Sequence, residues 1–361
     1  MHSPLVDVTI PVHSASRPIG RAVRSVIDHT GAAVRVTVVA HNIEPTIIRA
    51  NLGELVANEN VRLLELHDDV PSPSGPFNLG LAESTAPFAT IMGSDDELEP
   101  GALDSWLALQ RRTGAAFVIA RMAHRRRADA AHPPVRPFRQ TRLDGARDRL
   151  SYRSAPLGLL SRAVFGELRF TEGLPSGEDV AFVTRMWFSG APLAFDRTGP
   201  AYLENDDATD RVSFTLRSVA DDFAFLDDVF RASWYADLTP TQTEAVAVKM
   251  LRSHVFDAIG NRLTPEAYTG QAIGELGEVV RRVVATAPRV ERLLSRVDRS
   301  LLDGVLRKTM SIEDARALIV GRSNRVSLDT VLTRNPLYAL ARQAPLRTFM
   351  GMALVARPRR R

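Results

Sequence analysis

The chain has 361 residues, enough for two domains that each bury a core of their own. Its 45% apolar and 24% charged residues, with 22 glycines and 22 prolines, exclude collagen, a coiled coil and wholesale disorder. Zero cysteines exclude disulfides, thiolate nucleophiles and Cys-based metal sites, so any metal must sit on oxygen or imidazole, and a net charge of +4 is too mild to point to nucleic acid.

Residues 1–12 lack the basic and apolar regions of a signal peptide, and no run of about 18 apolar residues predicts a membrane span. Strands are predicted over 6–12, 34–39, 61–66, 88–92 and 116–120, with helices over 19–28, 46–57, 77–83 and 101–112 between them. This alternation of hydrophobic periods predicts an α/β half, Rossmann-like, in which helices wrap a mostly parallel central sheet. Such sheets take ligands outside the carboxyl ends of their strands, which singles out residues 13–18, 40–45, 67–78 and 93–100.

Residues 121–153 break the pattern, with ten arginines against three aspartates and with Pro133, Pro134 and Pro137 blocking regular structure. A solvated, mobile loop is expected there, although His124-Arg125-Arg126-Arg127 also suits an anionic acceptor or an anionic lipid. Order resumes over 154–170, and Gly177-Glu178-Asp179 then opens an apolar helix over 180–188 that Gly190 closes. Beyond Tyr202 only helices are expected. Phe223, Leu226 and Phe230 form one stripe opposite Asp221, Asp222, Asp227 and Asp228, and Ile273, Leu276, Val280 and Val283 form another. Thr239-Pro240-Thr241-Gln242 has a capping Thr, Pro at the first helical position and Gln at the third, and Ser311 with Asp314 marks a further start. The expected division is an α/β domain over 1–211 and an α-helical domain over 212–361.

Three groups of residues suit chemistry. Gly93-Ser94-Asp95-Asp96-Glu97 follows a strand directly and would project its carboxylates into the ligand crevice, where a hard divalent cation takes carboxylate oxygens and bridges to phosphates. The same acids also favour the N-terminus of the next helix. Glu178 and Asp179 begin a helix, where they can cap it or serve as acceptors or bases. Asn78 lies near another helix start, beside main-chain N–H groups that suit phosphate.

Taken together and in order, these pieces resemble the family 2 glycosyltransferases. Val8-Thr9-Ile10-Pro11-Val12-His13 resembles their opening strand, V-S-I-I-P-V-Y-N, and residues 21–28 the helix after it. Residues 36–42 take the place of the second strand and its acidic turn, 75–81 resemble the G-x-x-x-A-R-N-x-G-L element, and 91–98 the metal-binding D-x-D segment. Gly158-Leu159-Leu160-Ser161-Arg162, followed by Gly177-Glu178-Asp179-Val180, resembles the acceptor-side segment that ends in the E-D motif. The resemblance covers about 6–202.

It implies a GT-A fold and inverting transfer from a nucleotide-diphosphate sugar to an acceptor hydroxyl of a glycan, lipid-linked or polymer acceptor, with Mg²⁺ or Mn²⁺. By the same resemblance Asp95 binds the metal with Asp96 beside it, Asp179 is the general base and Glu178 orients the acceptor or that base. Pro11, His13, His41, Asn42, Asn78, Ser94 and Asp95 fall at donor-binding positions. Three departures stand out. Gly93 replaces the first Asp of D-x-D, Ala40-His41 replaces the acidic pair after the second strand, and Phe77 replaces the Arg before Asn78. The metal thereby loses a ligand and the donor base a carboxylate, while His41 and Asn42 keep groups able to hydrogen-bond a base.

A nucleotide-binding or nucleotidyl-transferring α/β enzyme is the alternative, but no Gly-rich phosphate loop follows the first strand. A non-catalytic assembly module built on the helical half is another. Phe349, Met350, Met352, Leu354 and Val355, followed by Arg357, Arg359, Arg360 and Arg361, suit either an interfacial anchor or a packed last helix with a basic tail. The expected location is cytoplasmic, or peripheral at the inner face of a membrane, with homo-oligomerisation through the helical domain.

Overall fold

The computed structural model describes residues 3–125, 133–205, 216–324 and 327–355. Its strands are β1 (Val6–Val12), β2 (Val34–His41), β3 (Val61–Leu66), β4 (Phe88–Ile91), β5 (Glu97–Leu98), β6 (Phe117–Ala120), β7 (Met122–His124), β8 (Gly158–Ser161), β9 (Leu193–Asp196) and β10 (Tyr202–Glu204). Seven form a sheet in the order β3-β2-β1-β4-β8-β6-β9, parallel except for β8, which runs antiparallel to both β4 and β6. The other three form a small sheet, β5-β10-β7. This is the mostly parallel, GT-A-like sheet expected. The small sheet was not.

Helices α1 (Ile19–Ile27), α2 (Pro45–Leu52), α3 (Ser74–Ala82), α4 (Ala102–Thr113), α5 (Arg162–Phe165) and α6 (Val180–Trp187) accompany the sheet. Val6, Val8, Ile10 and Val12 are fully buried on β1, and the β-branched runs of β1 and β2 suit strands flanked on both sides. The exception inside β1 is Asp7, 1% exposed, which accepts from Arg35 Nε (2.7 Å) and Nη2 (3.0 Å) and from the N–H groups of Thr85 (2.7 Å) and Ala86 (2.8 Å). It fastens the turn before β4 to the centre of the sheet. Asp7→Ala would strand these donors, so we expect a loss of about 3–5 kcal/mol, read as a lower urea midpoint. Across the sheet, α3 lies so close to β1 that a Cβ on Gly80 would fall 2.1 Å from Thr9 Cγ2. A glycine at that place is a packing requirement.

The region from 133 to 153 departs from the solvated loop expected. Asp148 is fully buried and paired with Arg136 at 2.7 Å. Arg149 donates to the carbonyls of Arg342 and Pro134, and Arg153 to that of Ala120, because buried guanidinium groups find main-chain acceptors where carboxylates are scarce. Arg126 and Arg127 lie outside the described residues.

After 216 come α7 (Val219–Phe223), α8 (Phe225–Phe230), α9 (Ser233–Ala236), α10 (Pro240–Met250), α11 (Phe256–Gly260), α12 (Gly270–Thr286), α13 (Arg296–Arg307), α14 (Ile312–Ser323), α15 (Leu328–Val331) and α16 (Pro345–Val355). The apolar stripes predicted for 223–230 and 273–283 point into one core. Thr239 and Gln242 form the capping box, and Ser311 accepts from Asp314 N. That core also takes in Leu174 and Val180, so the helical region grips the start of α6. The expected boundary at 211/212 lies outside the described residues. The last helix, α16, is packed: Gly351 lies against Pro134, and Val355 joins the core on the α6 side of the sheet. Among the described residues no helix is long and apolar enough to cross a membrane.

Candidate active site

A cavity of about 470 Å³ opens at the carboxyl ends of β1, β2 and β4. Pro11 and His13 reach it from β1, His41 and Asn42 from β2, and Ser94, Asp95 and Asp96 from the turn after β4. These are six of the seven donor-binding positions of the sequence reading, with Asp96 in addition. The seventh, Asn78, is elsewhere. It is buried in α3, where Nδ2 donates to Phe170 O (2.9 Å) and Glu172 Oε1 (2.8 Å) and Oδ1 accepts from Phe170 N (2.8 Å). Its amide is used up inside the protein, and its job is to tie α3 to the segment leading to Glu178.

The turn 93–96 is built around Tyr202, a residue of β10. The Tyr202 hydroxyl accepts from Gly93 N (2.9 Å) and donates to Asp96 Oδ2 (2.6 Å), while Asn205 N donates to Asp96 Oδ1 (3.2 Å). A Cβ on Gly93 would fall 2.7 Å from Asp96 Oδ2, so Asp96 fills the space an acid at 93 would need. Burial and the neighbouring Asp95 charge push Asp96 up to about 7, against the pull of the Tyr202 and Asn205 bonds. Asp95 is different. Its Oδ2 meets Arg17 Nη1 at 2.9 Å, and both side chains line the cavity.

A divalent cation needs hard oxygen donors and shares its shell with phosphate oxygens. Gly93 offers none, Asp96 is engaged by Tyr202 and Asn205, and among the described residues no cluster of three or more His, Asp or Glu side chains is set for a metal. Asp95 and Glu204 also line the cavity, Asp95 in the turn directly after β4 and Glu204 at the end of β10. The residues fit an ion held by Asp95 and the donor's own phosphates, with Asp96 beside it, oriented by Tyr202 and Asn205.

At the other end of the cavity His41 Nε2 meets Asp68 Oδ1 at 2.8 Å, and Asn42 Oδ1 accepts from the N–H groups of Asp68 (3.0 Å) and Asp69 (3.1 Å). Burial disfavours ionisation of Asp68, but bonds from Val70 N, His41 and Asn42 outweigh it and hold its carboxyl below the usual range. The acid missing at 40–41 is thus supplied behind His41 by the loop after β3. Sequence reasoning passed over Arg17, Asp68, Tyr202 and Asn205. Arg17 and Asp68 lay within the strand-end segments singled out, whereas nothing local marks Tyr202 or Asn205.

Glu178 and Asp179 do not line this cavity. They sit half-buried at the start of α6, and Asp179 makes no side-chain capping bond to the helix, which removes the capping reading. A run of aromatic rings joins the two places: Phe77 on the cavity wall lies 5.3 Å from Phe170, and Phe170 stacks at 4.6 Å on Phe182 of α6. Phe77, which replaces the expected Arg, is the first ring of that run. Burial and the adjacent Glu178 charge push Asp179 up to about 7, against the pull of the Lys249 ammonium. Burial likewise raises Glu178, opposed by Arg217. An aspartate titrating near neutrality is matched to taking a proton from a hydroxyl.

With this geometry in place, residues 7–169 match the family described as Glycosyl transferase family 2. The chain carries a family 2 glycosyltransferase domain. The solved structure of S. aureus TarS residues 1–349 with UDP-GlcNAc is similar to it at a TM-score of 0.70 and 17% identity, covering 88% of this chain and 91% of that one. A second structure of TarS residues 1–349 is similar at 0.67 and 16% identity, with the same shares covered, and a longer TarS chain at 0.65 and 17%, covering 88% and 55%. Identities this low show that the fold is shared, including helices beyond the family 2 domain. No curated protein matches the chain by sequence.

Proposed function

We propose that this family 2 glycosyltransferase moves a sugar, with inversion, from a nucleotide-diphosphate sugar in the 470 Å³ cavity to the hydroxyl of a cell-surface glycan or glycopolymer acceptor. The observation that carries the reading is Asp179, an uncapped acid raised to about 7 at the start of α6, the helix whose Phe182 ends the run of rings from the cavity. Asp179 takes the hydroxyl proton as the oxygen attacks the anomeric carbon, and Glu178 orients the acceptor. Arg17 and Asp95 face the diphosphate from one wall, and His41, oriented by Asp68, faces the base from another. A divalent cation held by Asp95 would stabilise negative charge on the leaving diphosphate. The UDP-GlcNAc bound by TarS makes a uridine donor the first to try. A calorimetric screen of nucleotide sugars with Mn²⁺ tests the reading. Binding of none would overturn it.

We further propose peripheral attachment to the inner face of a membrane. Arg347, Met350 and Leu354 lie along the outer face of α16, with Met350 and Leu354 52% and 56% exposed, and four arginines follow in the sequence. Apolar burial combined with a polybasic end is a two-signal arrangement. Co-sedimentation with phosphatidylglycerol vesicles is expected, and it should fall in Met350→Glu/Leu354→Glu. Equal sedimentation of the two proteins would refute attachment through this face.

A further inference from the structure

The helical region buries a cation close in the core to the segment that carries the acid pair. Lys249, in the last turn of α10, is 4% exposed, although lysines are almost never buried without a partner. Among the described residues it makes no direct salt bridge, and its Nζ hydrogen-bonds Nε2 of His254. Five residues along an ordinary α-helix, at about 100° each, would set these two side chains roughly 140° apart. Leu251–Val255 instead forms a π turn, a wider turn that brings them to one side.

His254 is itself anchored. Its ring lies 5.1 Å from that of Phe225, and a Cβ on Gly177 would fall 2.4 Å from Phe225 Cδ1. Phe225 therefore touches the backbone immediately before Glu178 and Asp179. Val180, immediately after them, shares a core with Val248, Met250 and Leu251. The acid pair thus lies between Gly177, packed on the Phe225 ring that meets His254, and Val180, which is buried in the core that α10 shares.

We propose that Lys249 is a positioning residue that keeps Asp179 ionisable by its charge, and that the π turn holds it there through His254. The charged and titratable groups in play are Glu178 beside Asp179, Lys249 and His254 from the helix, Arg217 facing Glu178, and Asp257 facing Lys249. Burial and the neighbouring ammonium hold His254 well below its ordinary range, so it stays neutral and accepts the Lys249 proton donor. Burial lowers Lys249 to about 8, against the attraction of Asp179 and Asp257. The role in catalysis rests on the reading of Asp179 as base, but the coupling of the two charges does not.

The coupling is measurable without donor or acceptor. In protein labelled with ¹³C at aspartate Cγ, the resonance lost in Asp179→Asn identifies Asp179, and its midpoint should rise by about one pH unit or more in Lys249→Met. Because coupling between two sites is reciprocal, the ¹³Cε midpoint of Lys249 should fall by a similar amount in Asp179→Asn. An unmoved midpoint in either variant overturns the proposal. Should Lys249→Met fail to fold, the second measurement decides alone. Neither reads transfer, so a wrong functional reading would appear separately, as failure of the donor screen.

Discussion

Asp179→Asn is expected to lower glycosyl transfer by about 10²-fold or more, since the amide keeps the shape of the carboxylate but cannot take a proton. Donor affinity should be unchanged, because Asp179 lies outside the donor cavity. The pH dependence follows from the same group. Only the ionised form is a base, and Asp179 is raised to about 7, so kcat/KM should fall about tenfold per unit below that value and level off above it. In the variant this acidic limb should vanish. Normal turnover by Asp179→Asn would assign the proton to another group, and a limb near 4 would mean that the site is more hydrated than its burial implies.

The second large effect concerns Asp95. A charge-assisted contact contributes about 1.5–3 kcal/mol, so loss of the Asp95–cation contact should weaken nucleotide-sugar binding by about tenfold or more. Chelation with EDTA should do the same to the unaltered protein. Asp95→Ala has a further consequence, because it releases Arg17, whose Nη1 otherwise meets Asp95 at 2.9 Å, to face the diphosphate. The decisive readout is therefore the response to the cation. Donor binding measured by calorimetry should depend on Mn²⁺ in the unaltered protein and be indifferent to it in Asp95→Ala. Equal affinity with Mn²⁺ and with EDTA in the unaltered protein would sink the metal and leave the diphosphate to Arg17 and main-chain N–H groups.

Much of the donor side was legible in the sequence because it is local. β1 alternates buried valines and isoleucine along an uninterrupted strand, and the residues that line the cavity follow such strands directly. What escaped is either short or distant. β5, β7 and β10 have two or three residues each, too few to show a period, yet β10 supplies Tyr202. Asn78 looked like a ligand because its partners at 170 and 172 are more than ninety positions away. The stretch 121–153 looked solvated because composition counts charges but not carbonyl acceptors, and Arg149 and Arg153 are satisfied by carbonyls. Lys249 was invisible for a related reason: a lysine among apolar residues reads as a helix edge until the acid it faces is placed in space.

Tyr202 also bears on how the protein is made. The bond from its hydroxyl to Asp96 spans 106 positions, and Asn205 reaches back further still to hold the carbonyl of Asp95 at 2.9 Å. Closing so long a loop costs entropy that only a largely assembled sheet can repay, so this turn is expected to acquire its shape late in folding. During synthesis, a ribosome that has released β1 to β4 and the turn after it has released Asp95 and Asp96 but none of the strand that shapes their turn. Pulse-labelling hydrogen exchange during refolding should find the amide of Gly93 protected after those of β1, and simultaneous protection would show that the turn forms without its distant strand.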